Sequence, residues 1–276
     1  MRLLSATAIA LAALLASRVA PAVGEGGRSS AEVAACVERN VPEPDNVRAV
    51  RITARDPRAG SKRVIVLKMY GRRSPEGLRQ LLVRFSEPDE VVGVSLLVLE
   101  QAGPADVYLA SPELPEPRKI TMTDRSSAIL GTDLSYEDLE WLQGFRTPRD
   151  ATRLPDEEVG ERDCYVLESA LEGSSYSRVL AFIDKESCLP LRLRFFEKSG
   201  RLRKEVTADP LSLVRHGDTW VAHAVLIRDA RDLTTTHFVV DTHEQDVLLP
   251  DGMFDVEGLR RSLRGAGSPT TAPAEP

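Results

Sequence analysis

The sequence has few of the residues that most often carry catalysis or bind metals. Three cysteines and four histidines occur among 276 residues, and no two cysteines form a Cys-x-x-Cys motif. The chain also has no G-x-S-x-G, no H-E-x-x-H and no phosphate-binding P-loop. We therefore expect no enzyme activity, no bound metal and no cofactor.

The histidines do not suggest a metal site either. His237 and His243 flank a predicted strand, with Asp241 between them. Six residues of extended strand span roughly 20 Å at about 3.3 Å per residue. Two side chains that far apart cannot share one ion unless the chain bends.

An excess of basic charge is also missing. The chain has 36 basic and 42 acidic residues, and two of the basic ones, Arg2 and Arg18, lie within residues 1–22. Binding to the phosphates of nucleic acid needs a basic surface. The acidic balance therefore argues against nucleic acid as a partner.

Only the N-terminus carries a long apolar run. Arg2 is followed by a mainly apolar run as far as Ala16, and Ala20-Pro-Ala22 offers a cleavage site for signal peptidase. This layout predicts a cleaved signal peptide over residues 1–22 and a periplasmic protein, with an uncleaved N-terminal anchor as the alternative. We expect one domain over residues 23–264. The small, polar and proline-rich residues 265–276 predict a disordered tail.

Short strand-like segments fill most of the remaining chain. Leu191-Arg-Leu-Arg-Phe195 alternates apolar and basic residues, as a half-buried strand does. Turn signals recur about every ten residues, which favours antiparallel β structure. We count about 10–11 strands and three helices, one at each end of the domain and one in the centre.

Few helices must cover a large apolar sheet face. An incomplete antiparallel β-barrel with the helices on its concave face satisfies this requirement, and an interior of that size can hold a ligand. A two-sheet sandwich would bury the same strand faces. Periodicity alone does not separate the two.

The most specific phrase is Ile129–Leu139, which lies between two blocks of strands. Ser135 and Asp138 form a capping box, so a short helix is predicted to start at Tyr136. Gly131 can supply the preceding turn. The insert could be a lid or a simple connector. Its motif residues are Gly131, Asp133, Leu134, Ser135, Tyr136, Asp138, Leu139 and Leu142.

Three cysteines in an exported chain predict one disulfide and one free thiol. We favour Cys36–Cys188, which would tie the N-terminal helix to the sheet. Cys164–Cys188 is the rival pairing.

Several segments resemble the outer-membrane lipoprotein-sorting family, whose members are similar to the lipoprotein carrier LolA. They are Val83–Asp89, Leu96–Glu100, Tyr108–Leu114, Ile129–Leu139, Val179–Arg192 and Phe196–Lys204. The resemblance implies an unclosed β-barrel with helices as a lid over an apolar cavity. It implies a carrier of lipid or lipoprotein acyl chains that works beside an RND-type exporter and makes transient contact with membrane surfaces.

Apolar side chains on the predicted strands are the candidates for lining such a cavity, and ordinary protein core is the alternative for each of them. They are Leu81, Val83, Phe85, Leu97, Leu99, Leu180, Phe182, Leu193 and Phe195. The alternative function is a non-enzymatic exported interaction module that docks on a membrane transporter without bound lipid.

Overall fold

The computed structural model describes residues 27–41, 45–147, 150–250 and 252–266. The predicted signal peptide, residues 1–22, lies outside this part, and so do residues 267–276 of the predicted tail. Within it are three α-helices: α1 (Ser30–Arg39), α2 (Tyr136–Leu142) and α3 (Val256–Ala266).

Fifteen strands are present in the described residues, all paired antiparallel. They are β1 (Asn46–Asp56), β2 (Ser61–Arg73), β3 (Arg79–Glu87), β4 (Ser95–Leu99), β5 (Asp106–Ala110), β6 (Arg118–Lys119), β7 (Thr152–Val159), β8 (Arg162–Ala170), β9 (Arg178–Asp184), β10 (Pro190–Phe196), β11 (Leu202–Ala208), β12 (Leu213–His216), β13 (Thr219–Ala222), β14 (Ala224–Asp229) and β15 (Thr234–Gln245).

The strand count exceeds the predicted 10–11, and two features of the sequence account for three of the additional strands. β7 is mostly polar and β12 has only four residues, so neither shows clear apolar alternation. The single strand predicted from Asp218 to Ile227 is broken at His223 into β13 and β14.

Thirteen strands form one open sheet in the order β6-β5-β4-β3-β2-β1-β15-β14-β11-β10-β9-β8-β7, and β12 and β13 form a separate hairpin. The first strand of the chain therefore lies beside the last, near the middle of the sheet. The two outermost strands, β6 and β7, do not pair with each other, so the barrel is incomplete.

One core cluster joins the two ends of the sheet. It contains Val98 of β4 and Val107 of β5, together with Leu167 of β8 and Val179 of β9. Val33 and Val37 of α1 and the apolar side of α2 belong to the same cluster. The sheet therefore curves around a shared core, which α1 and α2 cover on the concave side.

The third helix covers the opposite face. α3 packs Leu259 against Leu82 and Leu97. These residues alternate along β3 and β4 with residues of the concave core, and successive side chains of a strand point to opposite faces. The expectation that all three helices cover the concave face is therefore wrong for α3. Its presence explains why β3 and β4 are apolar on both faces.

Candidate functional site

A cavity of about 180 Å³ lies between α1, the end of α2 and the concave face of the sheet. Val37 lines it from α1, and Trp141 and Leu142 line it from α2. The sheet contributes apolar side chains from both halves of the barrel: Leu81, Ala181, Ile183, Leu193, Val206, Phe238 and Val240. The cavity is thus mainly apolar and is built by the curvature that brings β3 towards β9 and β10.

Half-buried residues at one side bring the cavity to the protein surface. Asn40 and Val41 follow α1, residues 143–146 follow α2, and Trp220 lies on β13. The Asn40 amide holds two of these segments together, because its Oδ1 accepts from the Trp220 backbone N–H at 2.8 Å and its Nδ2 donates to the Trp220 carbonyl at 3.1 Å. The rim therefore joins α1 to the β12–β13 hairpin.

Arginines give the cavity wall a cationic component. Arg48 and Arg79 line it, and Arg146 does so from the segment after α2. Arg79 donates to the Gly144 carbonyl and forms an ion pair with Glu100. Burial lowers the pKa of Arg146, whose Nε donates to Glu140 Oε2 at 3.0 Å. Arg79 and Arg146 thus hold the segment after α2 in place.

The structure places five of the nine cavity candidates on the concave side. Leu81 and Leu193 line the cavity itself. Val83 and Phe85 line a second, much smaller void of about 20 Å³ beside Leu139. Phe195 is fully buried and packs its ring against Trp141 and Tyr176, with centroid distances of 5.8 and 4.8 Å.

The other four candidates lie on the opposite face. Leu97 and Leu99 pack in the cluster under α3. Phe182 packs with Cys164 and Leu191 in a third cluster, against which Leu180 also packs. The runs around Leu97 and Phe182 are apolar on both faces, so periodicity could not choose between the faces. The structure does not bring these four residues to the cavity.

Several lining residues were missing from the sequence-based set. Ala181 and Ile183 lie on β9 beside Phe182, and Ala181 pairs with Leu193 of β10. Once Leu193 is placed on the concave face, this register places Ala181 there too, because paired residues share a face. The sequence alone does not show which residues pair across neighbouring strands, and this register was needed to identify Ala181 as a lining residue.

The central insert is anchored to the sheet through buried polar groups. α2 begins at Tyr136, as the capping box predicts, with Asp138 N–H donating to Ser135 Oγ and Ser135 N–H to Asp138 Oδ2. Asp138 is 1% exposed. It also accepts from Lys204 Nζ at 2.6 Å and from the Tyr176 hydroxyl at 2.7 Å. Burial and the nearby Asp138 charge raise the pKa of Tyr176.

Asp133 anchors the turn that precedes the helix. Its backbone N–H donates to Thr236 Oγ1 at 2.9 Å, and its carboxylate accepts from the hydroxyls of Thr234 and Thr236. Gly131 has a φ of +74° in this turn, a conformation that costs glycine little. Leu134 and Leu139 point into the concave core, and Leu142 reaches the cavity.

Two more acidic residues of α2 are buried and paired. Glu137 accepts from Ser175 N–H and Oγ and from the Ser174 hydroxyl. Glu140 pairs with Arg125 and Arg146. Because buried charges are retained only where they are paired and hydrogen-bonded, these contacts fix α2 in one position over the concave face.

A disulfide holds α1 against the same face. Cys36 and Cys188 are bonded, with a Cα–Cα distance of 5.6 Å, and Cys188 also lines the cavity. Cys164 is a free, buried thiol. Burial, and then the charge of Asp184, raise its pKa to about 11. The covalent bond thus ties α1 to the β9–β10 turn.

Three histidines that the sequence analysis did not connect come together near the cavity. His216 and His223 place their Nε2 atoms 3.0 Å apart, and the His216 and His243 ring centroids are 4.2 Å apart. One potential ligand atom from each of the three lies within 4.8 Å of the others. His237, by contrast, is exposed.

A β-bulge explains why sequence spacing missed this cluster. Arg48 pairs with His243 and Val50 with Val240, because the register shifts between Ala49 and Val50. Arg48 and Val50 share a face, so their partners His243 and Val240 share it as well. The bulge therefore turns His243 inwards, while His237 remains on the outer face.

None of the helices among the described residues has the length and apolar character needed to cross a membrane.

Comparison with known proteins gives a family model and a fold. A family model described as that of an uncharacterized protein matches residues 77–261. No curated protein matches the sequence.

Three solved structures share the architecture. A Vibrio parahaemolyticus domain, provisionally described as an outer membrane lipoprotein-sorting protein, is 20% identical with a TM-score of 0.74, covering 83% of this chain and 97% of its own. A DUF1329 family protein from Desulfovibrio piger is 22% identical with a TM-score of 0.75, and the match covers 83% of this chain and 96% of that protein. A LolA superfamily protein from Nitrosomonas europaea is 17% identical with a TM-score of 0.63, and the match covers 84% of this chain and 100% of that protein. The predicted LolA-like fold, an incomplete antiparallel barrel, is confirmed.

Proposed function

The chain belongs to the family whose model matches residues 77–261, and we propose that it is a periplasmic carrier of lipid or of lipoprotein acyl chains. The observation that carries the proposal is the apolar cavity beneath α1 and α2. It lies on the concave side of a carrier-type fold and reaches the surface at one side. The proposed cargo is an acyl chain, passed towards the outer membrane.

The size of the cavity limits what it holds without rearrangement. Pockets for small molecules usually enclose about 300–1,000 Å³, whereas this cavity has about 180 Å³. Burying an acyl chain gains roughly 0.8 kcal/mol per methylene. A segment of a single chain therefore fits as the structure stands, and a longer cargo requires part of the cover to move outwards.

We infer that the segment after α2 is the part of the cover that moves, and that its contacts with Arg79 and Glu140 open when it does. Residues 143–147 are all half-buried, whereas α2 is fixed by several buried ion pairs and hydrogen bonds and α1 by the disulfide. Gly144 has a φ of +73°, and a Cβ added there would lie 3.0 Å from Val41 Cγ2. This narrow contact between Gly144 and Val41 closes the rim, and we infer that cargo passes between them.

One polar group suits the head end of such a cargo. Trp141 lines the cavity and is 6% exposed, and its indole N–H has no hydrogen-bond partner among the described residues. Buried indole N–H groups usually find a partner. An ester or amide carbonyl of a lipid would supply the missing acceptor.

The remaining parts of the proposal concern the whole protein. Residues 1–22 act as a cleaved signal peptide, residues 23–264 form the carrier domain and residues 265–276 form a tail. The carrier is not an enzyme and binds no nucleic acid. It makes transient contact with membrane surfaces and receives or delivers cargo beside an RND-type exporter.

A cavity-filling variant tests the proposal directly. Ala181 lines the cavity and is 1% exposed, so Ala181→Phe should occupy the space meant for cargo. Ala59→Phe makes the same change at an exposed turn and is the matched control. The exported proteins are purified, extracted with organic solvent and analysed by mass spectrometry.

We expect the unsubstituted protein and A59F to release lipid in near-stoichiometric amounts, and A181F to release at least tenfold less. A181F should keep a melting temperature close to that of the unsubstituted protein, because the ring fills a void rather than a packed core. If the folded, unsubstituted protein releases no lipid, the carrier proposal fails and the interaction module that docks without lipid is favoured.

A further inference from the structure

His216, His223 and His243 form a cluster of potential ligands with no carboxylate or thiol among them. His216 ends β12, His223 lies between β13 and β14, and His243 lies on β15. The hairpin, its exit and the last strand of the sheet thus each contribute one imidazole. All three residues are half-buried, which limits their rotamers without closing off access.

We propose that His216, His223 and His243 bind a divalent transition-metal ion of the zinc type, leaving a fourth coordination position open. Imidazole nitrogen is a preferred ligand of Zn²⁺ and its neighbours in the periodic table. A tetrahedral ion with Zn–N distances of about 2.0–2.1 Å needs ligand atoms roughly 3.3 Å apart. The ligand atoms found here lie within 4.8 Å of one another, so small side-chain rotations complete the geometry.

The unused nitrogens of His243 are an independent sign that a ligand belongs in the cluster. Both Nδ1 and Nε2 are buried and lack a hydrogen-bond partner among the described residues. A neutral imidazole has one donor and one acceptor nitrogen. Leaving a buried polar group unsatisfied costs about 1–3 kcal/mol. Metal coordination would satisfy one nitrogen and fix the tautomer of the other.

Arg48 lies close to the proposed site, and its positive charge affects which ions bind there. It is opposite His243 in the β1–β15 register and also lines the cavity. Its positive charge repels a cation, so we expect weaker binding than three histidines alone would give. The same charge favours an anion, such as hydroxide or a carboxylate, at the fourth position.

A cobalt titration tests the site in the full mature chain, prepared without a histidine tag. Co²⁺ bound by three imidazoles in a four-coordinate site gives visible absorption bands, and we expect them to saturate at one equivalent. His216→Ala, His223→Ala and His243→Ala should each weaken binding at least tenfold. His237→Ala, on the outer face of the same strand as His243, should leave binding unchanged.

X-ray absorption spectroscopy of the zinc-loaded, unsubstituted protein does not depend on any variant folding. We expect three imidazole nitrogens at about 2.0–2.1 Å from zinc. Absence of one-equivalent binding, fewer than three imidazoles in the spectrum, or binding that survives loss of any one of the three histidines would overturn the proposal. None of these outcomes depends on whether the protein carries lipid, so this site and the carrier function are tested separately.

Discussion

At the residue scale, the buried acids of α2 decide where the central insert sits. Besides its capping bond, the Asp138 carboxylate accepts two polar contacts, from Tyr176 and Lys204, and Glu137 and Glu140 are also paired. Removing charges from water offsets much of the attraction between them, so a buried ion pair adds little net stability. Breaking one is costly, however, which makes the position of α2 specific.

Lys204→Met is expected to lower the free energy of unfolding by about 3–5 kcal/mol, because it leaves the Asp138 carboxylate buried without its cation. Arg51→Ala removes an ion pair of comparable length with Asp241, but both side chains there are exposed, so the loss should be about 1 kcal/mol or less. Denaturant unfolding measures both. Similar small losses for the two variants would show that Asp138 is solvated in the folded protein.

Residue roles could be predicted from the sequence only where they depend on near neighbours. The capping box of Ser135 and Asp138 is a local signal, and α2 begins where it predicts. The cationic partner of Asp138 is Lys204, which is 66 residues away. No pattern in either segment predicts that these two residues form an ion pair. One bulged residue in β15 places His243 on the opposite face from His237, although an even spacing of six residues would place both on one face, and no local pattern in the sequence reveals the bulge.

At the element scale, α1 is held over the cavity by one covalent bond, a small apolar contact and the two hydrogen bonds of Asn40, the residue that follows it. Val33 and Val37 are its buried contributions to the concave core. The Cys36–Cys188 bond closes a segment of 152 residues, and a bond that closes a long loop removes much entropy from the unfolded chain. The position of α1 therefore depends on the disulfide more than on packing.

Replacing Cys36 and Cys188 together by alanine should lower the free energy of unfolding by about 2–5 kcal/mol. Cys164→Ala removes a buried sulfur but no bond, and it should cost about 1 kcal/mol. The comparison is made by thermal and denaturant unfolding without reductant. A smaller loss for the double variant than for C164A would mean that α1 is held by packing after all.

Helix existence was easier to predict than helix placement. All three helices were expected, the central one from its capping box, and all three are present among the described residues. Which face of the sheet each covers depends on strands far away in the sequence. α3 follows β15 by only ten residues, yet it packs on β4 and β5, and no local pattern encodes that choice.

At the scale of the whole molecule, the open sheet leaves two edges that could pair with other chains. β6 has only two residues, which limits pairing there. β7 is longer, but residues 155 and 156 interrupt its register with β8, and Pro155, Glu157 and Glu158 are exposed. Proline, bulges and exposed charges are the means by which natural sheets prevent association at their edges.

Removing these features from β7 should promote self-association. We expect the combined Pro155→Val, Glu157→Thr and Glu158→Val variant to show a higher, concentration-dependent mass in size-exclusion chromatography with light scattering. Glu172→Thr with Glu186→Val removes the same charge from exposed loops and should leave the mass unchanged. An unchanged mass for the β7 variant would show that this edge is protected in another way.

The fold class was predictable because it rests on strand number, turn spacing and the family resemblance. Strand periodicity alone did not separate a sandwich from an incomplete barrel, because both bury the same strand faces, and it was the family resemblance that predicted the barrel. What decides it is the pairing of β1 with β15, which joins two meanders into one sheet.

The pairing of β1 with β15 also has a consequence for how the chain folds. Arg51 of β1 and Asp241 of β15, which form an ion pair across it, are 190 residues apart. Folding slows as contacting residues become more distant in sequence. Each meander can assemble from its own hairpins, but the middle of the sheet closes only when the last strand is available. A chain emerging from one end therefore keeps an unpaired edge at β1 until it is nearly complete.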